Sequence, residues 1–230
     1  MSSLHADIVI DLKSKISSNI LPEGQKLPSE RELALQYEVS RNVIREAISV
    51  LRVEGLIMVQ AGKGAYVTKP NPMMIAETIE RIMKNYNTTL EDLLEVREGL
   101  EISIIKNVIK RATSEDSQIL YKIYRDMEKN RTNVTQFAKL DLQFHTSLAE
   151  STKNPLYPVL LSSFMEMTQH VLFEFTRLIP ESMVQAQEHH LALIKAIEEG
   201  DEDLAISTII SHMQVLREEI KVLKERNIIG

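Results

Sequence analysis

Residues 27–69 constrain this chain more than any other stretch. Leu27-Pro28-Ser29-Glu30-Arg31-Glu32-Leu33-Ala34 is followed by Val39-Ser40-Arg41-Asn42-Val43-Ile44-Arg45-Glu46-Ala47, and then by Gly55-Leu56-Ile57-Met58-Val59-Gln60-Ala61-Gly62-Lys63-Gly64-Ala65-Tyr66-Val67-Thr68. Ser29 can cap a helix, with Glu32 three residues on closing a capping box, and Leu33, Ala34 and Tyr37 give that helix an apolar side. Ser40 can cap a second helix, with Val43, Ile44, Ala47, Ile48 and Leu51 at helical spacing and Gly55 at its stop. Leu56 to Gln60 and Ala65 to Thr68 are strand-like, with Ala61-Gly62-Lys63-Gly64 as the turn between them. An earlier helix, from about Leu4 to Ile20, carries Leu4, Ile8, Leu12, Ile16 and Ile20 on one stripe. Two short capped helices followed by a hairpin predict a winged helix-turn-helix, which places its second helix in a DNA major groove.

The polar residues fit that use. Ser40, Arg41, Asn42 and Arg45 fall in the first turns of the second helix, where arginine can bond guanine bidentately or neutralise a phosphate. Lys63 lies between Gly62 and Gly64, where the backbone can approach a phosphate closely. Taken singly, each is equally readable as a solvated surface charge; together, in this framework, they read as a DNA-contacting set. Glu30, Glu32 and Glu46 read as caps and scaffold ion pairs. The net charge of −6 argues against a nucleic-acid partner only until it is divided. Residues 1–70 hold 9 Lys+Arg against 8 Asp+Glu, a balance of +1, and residues 71–230 hold 18 against 25, a balance of −7. The acidity belongs to the second part, and DNA binding has to rely on local charge placement.

Lys69-Pro70-Asn71-Pro72 breaks both helix and strand. The expected organisation is a winged helix-turn-helix over 1–69, a linker over 70–74 and an all-helical bundle of about seven helices over 75–230, a mainly α chain. In the bundle, Thr88 with Glu91 reads as a capping box opening a helix to about Arg111. Later helices are expected near 114–130, 134–151, 155–178, 181–199 and 201–224. No run is long or apolar enough to span a membrane, the N-terminus lacks a signal-peptide core, and there is no cysteine. The expectation is a cytoplasmic protein.

A second constellation lies in the bundle. Asp141 and His145 are four apart and share a helix face. His190 lies 10 residues before Gly200 and His212 lies 12 after it. If Gly200-Asp201 turns a helical hairpin, both rise to roughly 15–18 Å from the turn at about 1.5 Å per residue, where they can converge with Asp141 and His145. One carboxylate and three imidazoles suit Zn²⁺, Ni²⁺ or another transition metal such as manganese. A hydrogen bond between Asp141 and His145 accounts equally for that pair alone.

These residues carry a resemblance. Leu21 to Lys69 resembles the N-terminal domain of the GntR family of bacterial transcription regulators, through Leu27 to Leu33, Ser40-Arg41, Arg45-Glu46-Ala47, Glu54-Gly55-Leu56 and Gly62-Lys63-Gly64. The resemblance implies DNA contacts from Arg31, Arg41, Arg45 and the wing tip. Residues from about 75 to 224 resemble the helical ligand-sensing domain, called FCD, of the family's FadR branch. Metal-binding members supply an Asp and a His four apart and two further His from the last two long helices, positions that Asp141, His145, His190 and His212 fill. His189, next to His190, is expected to face elsewhere, because adjacent helical positions differ by about 100°.

Arg97, within Leu93-Leu94-Glu95-Val96-Arg97-Glu98-Gly99-Leu100-Glu101, resembles an effector-site arginine of these domains. There it could hold one carboxylate oxygen while the metal holds the other; the other reading is an exposed Arg paired with Glu101 at i,i+4. Arg177 is a weaker candidate for the same work, and Gly99 stands where the family commonly has a larger residue. The resemblance implies no enzyme but a homodimeric regulator, usually a repressor, of a palindromic double-stranded operator, controlled by a small carboxylate at a site for a divalent metal, zinc first. A metal-free sensor of acyl ligands, and a metal-dependent hydrolase with a DNA-binding appendage, are the competing readings.

Overall fold

The computed structural model describes residues 4–68, 72–178 and 182–228. The chain divides into two compact units, residues 1–71 and 72–230. The first comprises α1 (Leu4–Ser17), α2 (Glu30–Gln36), α3 (Arg41–Val53) and an antiparallel wing of β1 (Ile57–Gln60) and β2 (Gly64–Val67). The Ser29–Glu32 capping box forms as the spacing predicts. Ser40 occupies the N-cap position of α3, but its side chain makes no cap hydrogen bond, so the expected Ser40 cap is positional only.

α3 buries Ile44, Ala47, Ile48 and Leu51 against Ile8, Val9 and Leu12 of α1 and Leu33 of α2. Gly55, at φ 72°, takes the left-handed conformation that ends the helix. The predicted α1 stripe is only partly right. Leu4 and Ile20 are each 66% exposed, and the helix stops at Ser17, where Ser17 and Ser18 hydroxyls bond back to the Ser14 carbonyl and Asn19 adopts φ 59°. In the wing, Ile57 pairs with Val67 and Gln60 with Gly64. Only the Ile57–Val67 end is buried, so the hairpin is anchored at its base and its tip is free in solvent.

Among the described residues the second unit holds seven helices, the number expected: α4 (Pro72–Tyr86), α5 (Leu90–Arg111), α6 (Ser114–Lys129), α7 (Val134–Glu150), α8 (Leu156–Leu178), α9 (Ser182–Glu199) and α10 (Glu202–Glu225). None among the described residues is long and apolar enough to cross a membrane. Two expectations shift. Residues 72–74, read as linker, form the first turn of α4, since Pro72 stands at N1, where a missing N–H costs nothing; residues 69–71 lie outside the described residues. The capping box of α5 is Thr89 with Asp92, one residue later than Thr88 with Glu91. Asn87 takes φ 53° and Thr88 N–H bonds the Met83 carbonyl, so Thr88 still belongs to the preceding turn. Glu91 is thereby left to pair with Lys224 at 2.8 Å.

Two apolar clusters fill this unit. Ile104, Phe144, Leu193 and Ile209 belong to the larger; Leu94, Val171, Met213 and Ile220 to the smaller. On α5, Arg97 and Glu101 fall between Leu94 and Ile104, and on α10 His212 falls between Ile209 and Met213. Polar side chains are thus inserted at the seam between two apolar clusters.

Candidate functional site

Two places in the molecule gather the candidate residues. In the first unit, Ser40, Arg41, Asn42 and Arg45 are exposed on the first turns of α3, and Gly62 and Lys63 are exposed at the wing tip. Gly62 (φ 73°) and Gly64 (φ 112°) turn the tip through backbone conformations that side chains rarely adopt. Arg31, on α2, is exposed and has no ion-pair partner among the described residues. Arg41 and Arg45 share one carboxylate oxygen, Glu30 Oε2, at 3.8 and 3.4 Å, with 62% and 63% of their side chains exposed. Such long, wet pairs orient the guanidiniums without committing them. One cation went unnoticed in the sequence: Lys26, whose Cε lies 2.9 Å from where a Cβ on Gly64 would stand. That contact is with the flexible end of Lys26, so it is the φ of 112° at Gly64, more than the space, that calls for glycine there.

In the second unit the histidines converge. Gly200, at φ 71°, turns α9 into α10, and Asp201 caps α10 by accepting from Leu204 N–H. His190 and His212 come level, their ring centres 5.2 Å apart. His145 joins them from α7, 5.4 Å from His190 and 5.1 Å from His212. Each ring offers a nitrogen to a group whose members all lie within 4.8 Å of one another. Asp141 stands beside this trio rather than within it: its Oδ1 is 3.4 Å from His190 Nε2, and it lines the adjoining cavity. His189 lies outside the trio, but it does not stand clear of it: its ring packs edge-on against His212, with centres 5.7 Å apart.

A test of whether a metal suits these residues comes from their hydrogen bonds. His145 Nδ1 lies 3.0 Å from Glu101 Oε2, and His190 Nδ1 lies 3.0 Å from Gln187 Oε1. Gln187 in turn donates to the Tyr124 carbonyl and to Glu128, which fixes which end of its amide faces His190. With each Nδ1–H donating outward, the Nε2 lone pairs of both rings point inward. Among the described residues four buried ring nitrogens lack a hydrogen-bond partner: His145 Nε2, His190 Nε2 and His212 Nδ1 in the trio, and His189 Nδ1 beside it. Unpaired buried polar atoms are costly, and three on converging rings fit a cation. Burial, then the neighbouring histidines, hold His190 and His212 well below the usual imidazole range, leaving them neutral as ligands must be. Burial works against charge on His145 too, but Glu101 outweighs it and raises its basicity. Burial likewise opposes charge on Glu101, and His145 with Arg97 overcomes it, so this carboxylate stays ionised.

Arg97 is 3% exposed, and both expectations for it hold a part of the geometry. It pairs with Glu101 at 2.8 Å, yet it is buried and lines the cavity beside the trio. Its Nη1 donates to Thr168, while Nη2 makes no hydrogen bond to the described residues. Arg177, by contrast, is exposed and paired with Glu174, away from the cavity lining. Gly99 is exposed with open space around it, so it does not shape the pocket. The cavity lies among α5, α7, α8, α9 and α10 and leaves about 50 Å³ of free space, room for a few water-sized groups at roughly 10–15 Å³ each. Glu219 also lines it, and burial, with Asp141 nearby, pushes its carboxyl up to about 8. Sequence reading singled out neither Gln187 nor Glu219. Their signals were position alone, three residues before His190 and seven after His212, each on the same helical face.

Residues 4–67 match the family model described as bacterial regulatory proteins, gntR family, and residues 92–215 match that of the FCD domain. Among curated proteins, the "Putative L-lactate dehydrogenase operon regulatory protein" of Escherichia coli K12 is 28% identical over 228 residues, covering 96% of this chain and 88% of the relative. The HTH-type transcriptional repressor NanR of the same organism is 26% identical over 214 residues, covering 88% of this chain and 79% of the relative. Among solved structures, Streptococcus agalactiae GntR matches with a TM-score of 0.76 at 26% identity, covering 93% of this chain and 99% of that one.

Proposed function

This chain belongs to the GntR family of bacterial regulatory proteins with an FCD domain, and is a ligand-responsive DNA-binding transcription regulator rather than an enzyme; we propose that its ligand is a small carboxylic acid held at a divalent metal site. The observation that carries the reading is the set of inward, unpartnered ring nitrogens of His145, His190 and His212 beside a buried guanidinium with a spare donor. His145, His190 and His212 hold the metal, with Asp141 as the carboxylate beside them. Zinc suits an imidazole-rich set best, with nickel or manganese as alternatives. When bound, the metal supplies a Lewis acid for one carboxylate oxygen. Arg97 Nη2 donates to the other, and Glu101 orients both Arg97 and His145. The free space of about 50 Å³ is far below the roughly 300–1,000 Å³ of pockets for drug-sized ligands, which supports an acid of few atoms over a long acyl chain.

Arg31, Ser40, Arg41, Asn42, Arg45, Gly62 and Lys63 form the DNA-contacting set, with α3 in the major groove and the wing tip on phosphate. The reading includes a homodimer on a palindromic operator, since two-fold protein symmetry matches two-fold half-sites, and repression as the resting activity, in line with the relatives named as repressors. Acid binding changes operator affinity by favouring one arrangement of the protein over another.

The test is to measure metal content, acid-induced melting shift and operator affinity for the wild type, His190→Ala and Arg97→Ala. His190→Ala loses metal and with it the stabilisation that a native-state ligand provides. Arg97→Ala keeps metal but loses the shift with acids. Both still bind operator. Full metal occupancy in His190→Ala overturns the metal site, and an undiminished acid shift in Arg97→Ala removes Arg97 from the acid site.

A further inference from the structure

Glu219 sits on α10, seven residues beyond His212, and lines the same cavity as Arg97 and Asp141. It is 5% exposed and makes no hydrogen bond or ion pair among the described residues. Arg97 and Glu101 beside the cavity are engaged with each other, and Glu101 also with His145, while Asp141 lies 3.4 Å from His190 Nε2 without a hydrogen bond. A buried carboxyl with no partner is destabilising, and an apolar side chain of similar size would fill the position without that cost. The unpartnered carboxyl is therefore best accounted for by a partner that enters the cavity.

That partner is either an ammonium or a hydroxyl. An ammonium confined to about 50 Å³ would share the space with the Arg97 guanidinium and with the histidine trio and any cation on it. Like charges so confined repel, and the ammonium would also lose its hydration. A hydroxyl brings no charge. It can accept from a neutral carboxyl or donate to it, whichever form Glu219 holds in its buried setting.

We propose that Glu219 determines effector specificity by hydrogen-bonding a hydroxyl of the bound acid, so that the protein responds to small hydroxy acids in preference to their deoxy counterparts. This rests on the acid site of the proposed function, with Arg97 and the metal taking the carboxylate and Glu219 reading the substituent.

The test is calorimetric titration of the metal-loaded full chain with matched pairs, lactate against propionate and glycolate against acetate, and with alanine as the ammonium counterpart of lactate. The wild type binds the hydroxy member of at least one pair about tenfold or more tightly than its deoxy analogue, the worth of one buried hydrogen bond. Glu219→Met lowers the hydroxy acid to the level of the deoxy acid, leaves the deoxy acid and the metal content unchanged, and raises the melting temperature of the acid-free protein. Glu219→Gln, which can still accept and donate, keeps the preference. The wild-type ratios need no variant, and Glu219→Leu repeats the comparison should Glu219→Met not fold. Equal binding within both pairs, alanine binding more tightly than lactate, or a preference that survives in Glu219→Met overturns the assignment while leaving the acid site standing. A wild type that binds none of these acids overturns the acid site and this assignment together.

Discussion

Glu30 and Glu101 each gather two cationic or basic groups, one in each unit, and they do so in opposite surroundings. Glu30 Oε2 lies 3.4 Å from Arg45 and 3.8 Å from Arg41, on arginines that are mostly in water. Glu101 lies 2.8 Å from Arg97 and 3.0 Å from His145, with all three side chains at most 4% exposed. In water the attraction is screened and the pair is loose. Away from water each partner depends on the other, because removing one strands a buried charge. The difference matches the work proposed for each region. A DNA-contacting arginine has to exchange its carboxylate for phosphate or guanine, which a weak exposed pair allows. A site that orients metal ligands and one small acid has to keep its geometry, which a buried network enforces.

The sharpest way to break this comparison is to remove the two carboxylates in turn. Glu101→Ala is expected to cost about 3–5 kcal/mol of stability in urea unfolding, because Arg97 loses its charge partner in the interior. Glu30→Ala is expected to cost less than about 1 kcal/mol. Similar costs for both would mean that burial does not separate the two networks.

Next in size are the recognition arginines. Arg41→Ala and Arg45→Ala are each expected to cost about 1–3 kcal/mol of operator affinity where they read bases, with unfolding unchanged. Operator titrations that match the wild type at equal salt would move base reading elsewhere on the first unit.

A pH series sharpens the buried side. Glu219 is neutral in the folded protein up to about 8, whereas the unfolded chain releases that proton near an ordinary value of about 4.3. Its contribution to stability is therefore full at low pH and is lost as pH rises towards 8. Between about pH 5 and 8, wild-type stability should fall relative to Glu219→Gln by at most about 1.4 kcal/mol per pH unit. A difference that stays flat across that window would show that Glu219 is ionised in the folded protein.

The smallest effect belongs to the wing tip. Lys63→Ala should weaken binding to all DNA sequences alike and lower the salt slope by about one, as loss of one phosphate contact does. A loss confined to one base position would give the wing a reading role.

What the sequence determined was what neighbouring residues decide among themselves. The Ser29–Glu32 box, the glycine stops at 55 and 200, the wing turn and the seven helices of the second unit depend on contacts a few residues apart. So does the level placement of His190 and His212, which follows from helical rise on either side of one turn. Where two local solutions compete within one residue, as at Thr88 and Thr89, spacing alone chose the wrong one, since it does not register the left-handed turn at Asn87. Tertiary structure decided the rest. Whether Arg97 faces solvent or the interior depends on α8 bringing Thr168 to it from 71 residues away. That Glu101 serves a histidine as well as an arginine depends on α7 crossing α5 at His145, 44 residues on. Asp141 standing beside the histidine trio, and Glu219 facing the cavity without a partner, were set in the same way. Helical periodicity fixes which residues share a face, but packing fixes which face is buried and what it meets, and that is where burial turns a common ion pair into a site.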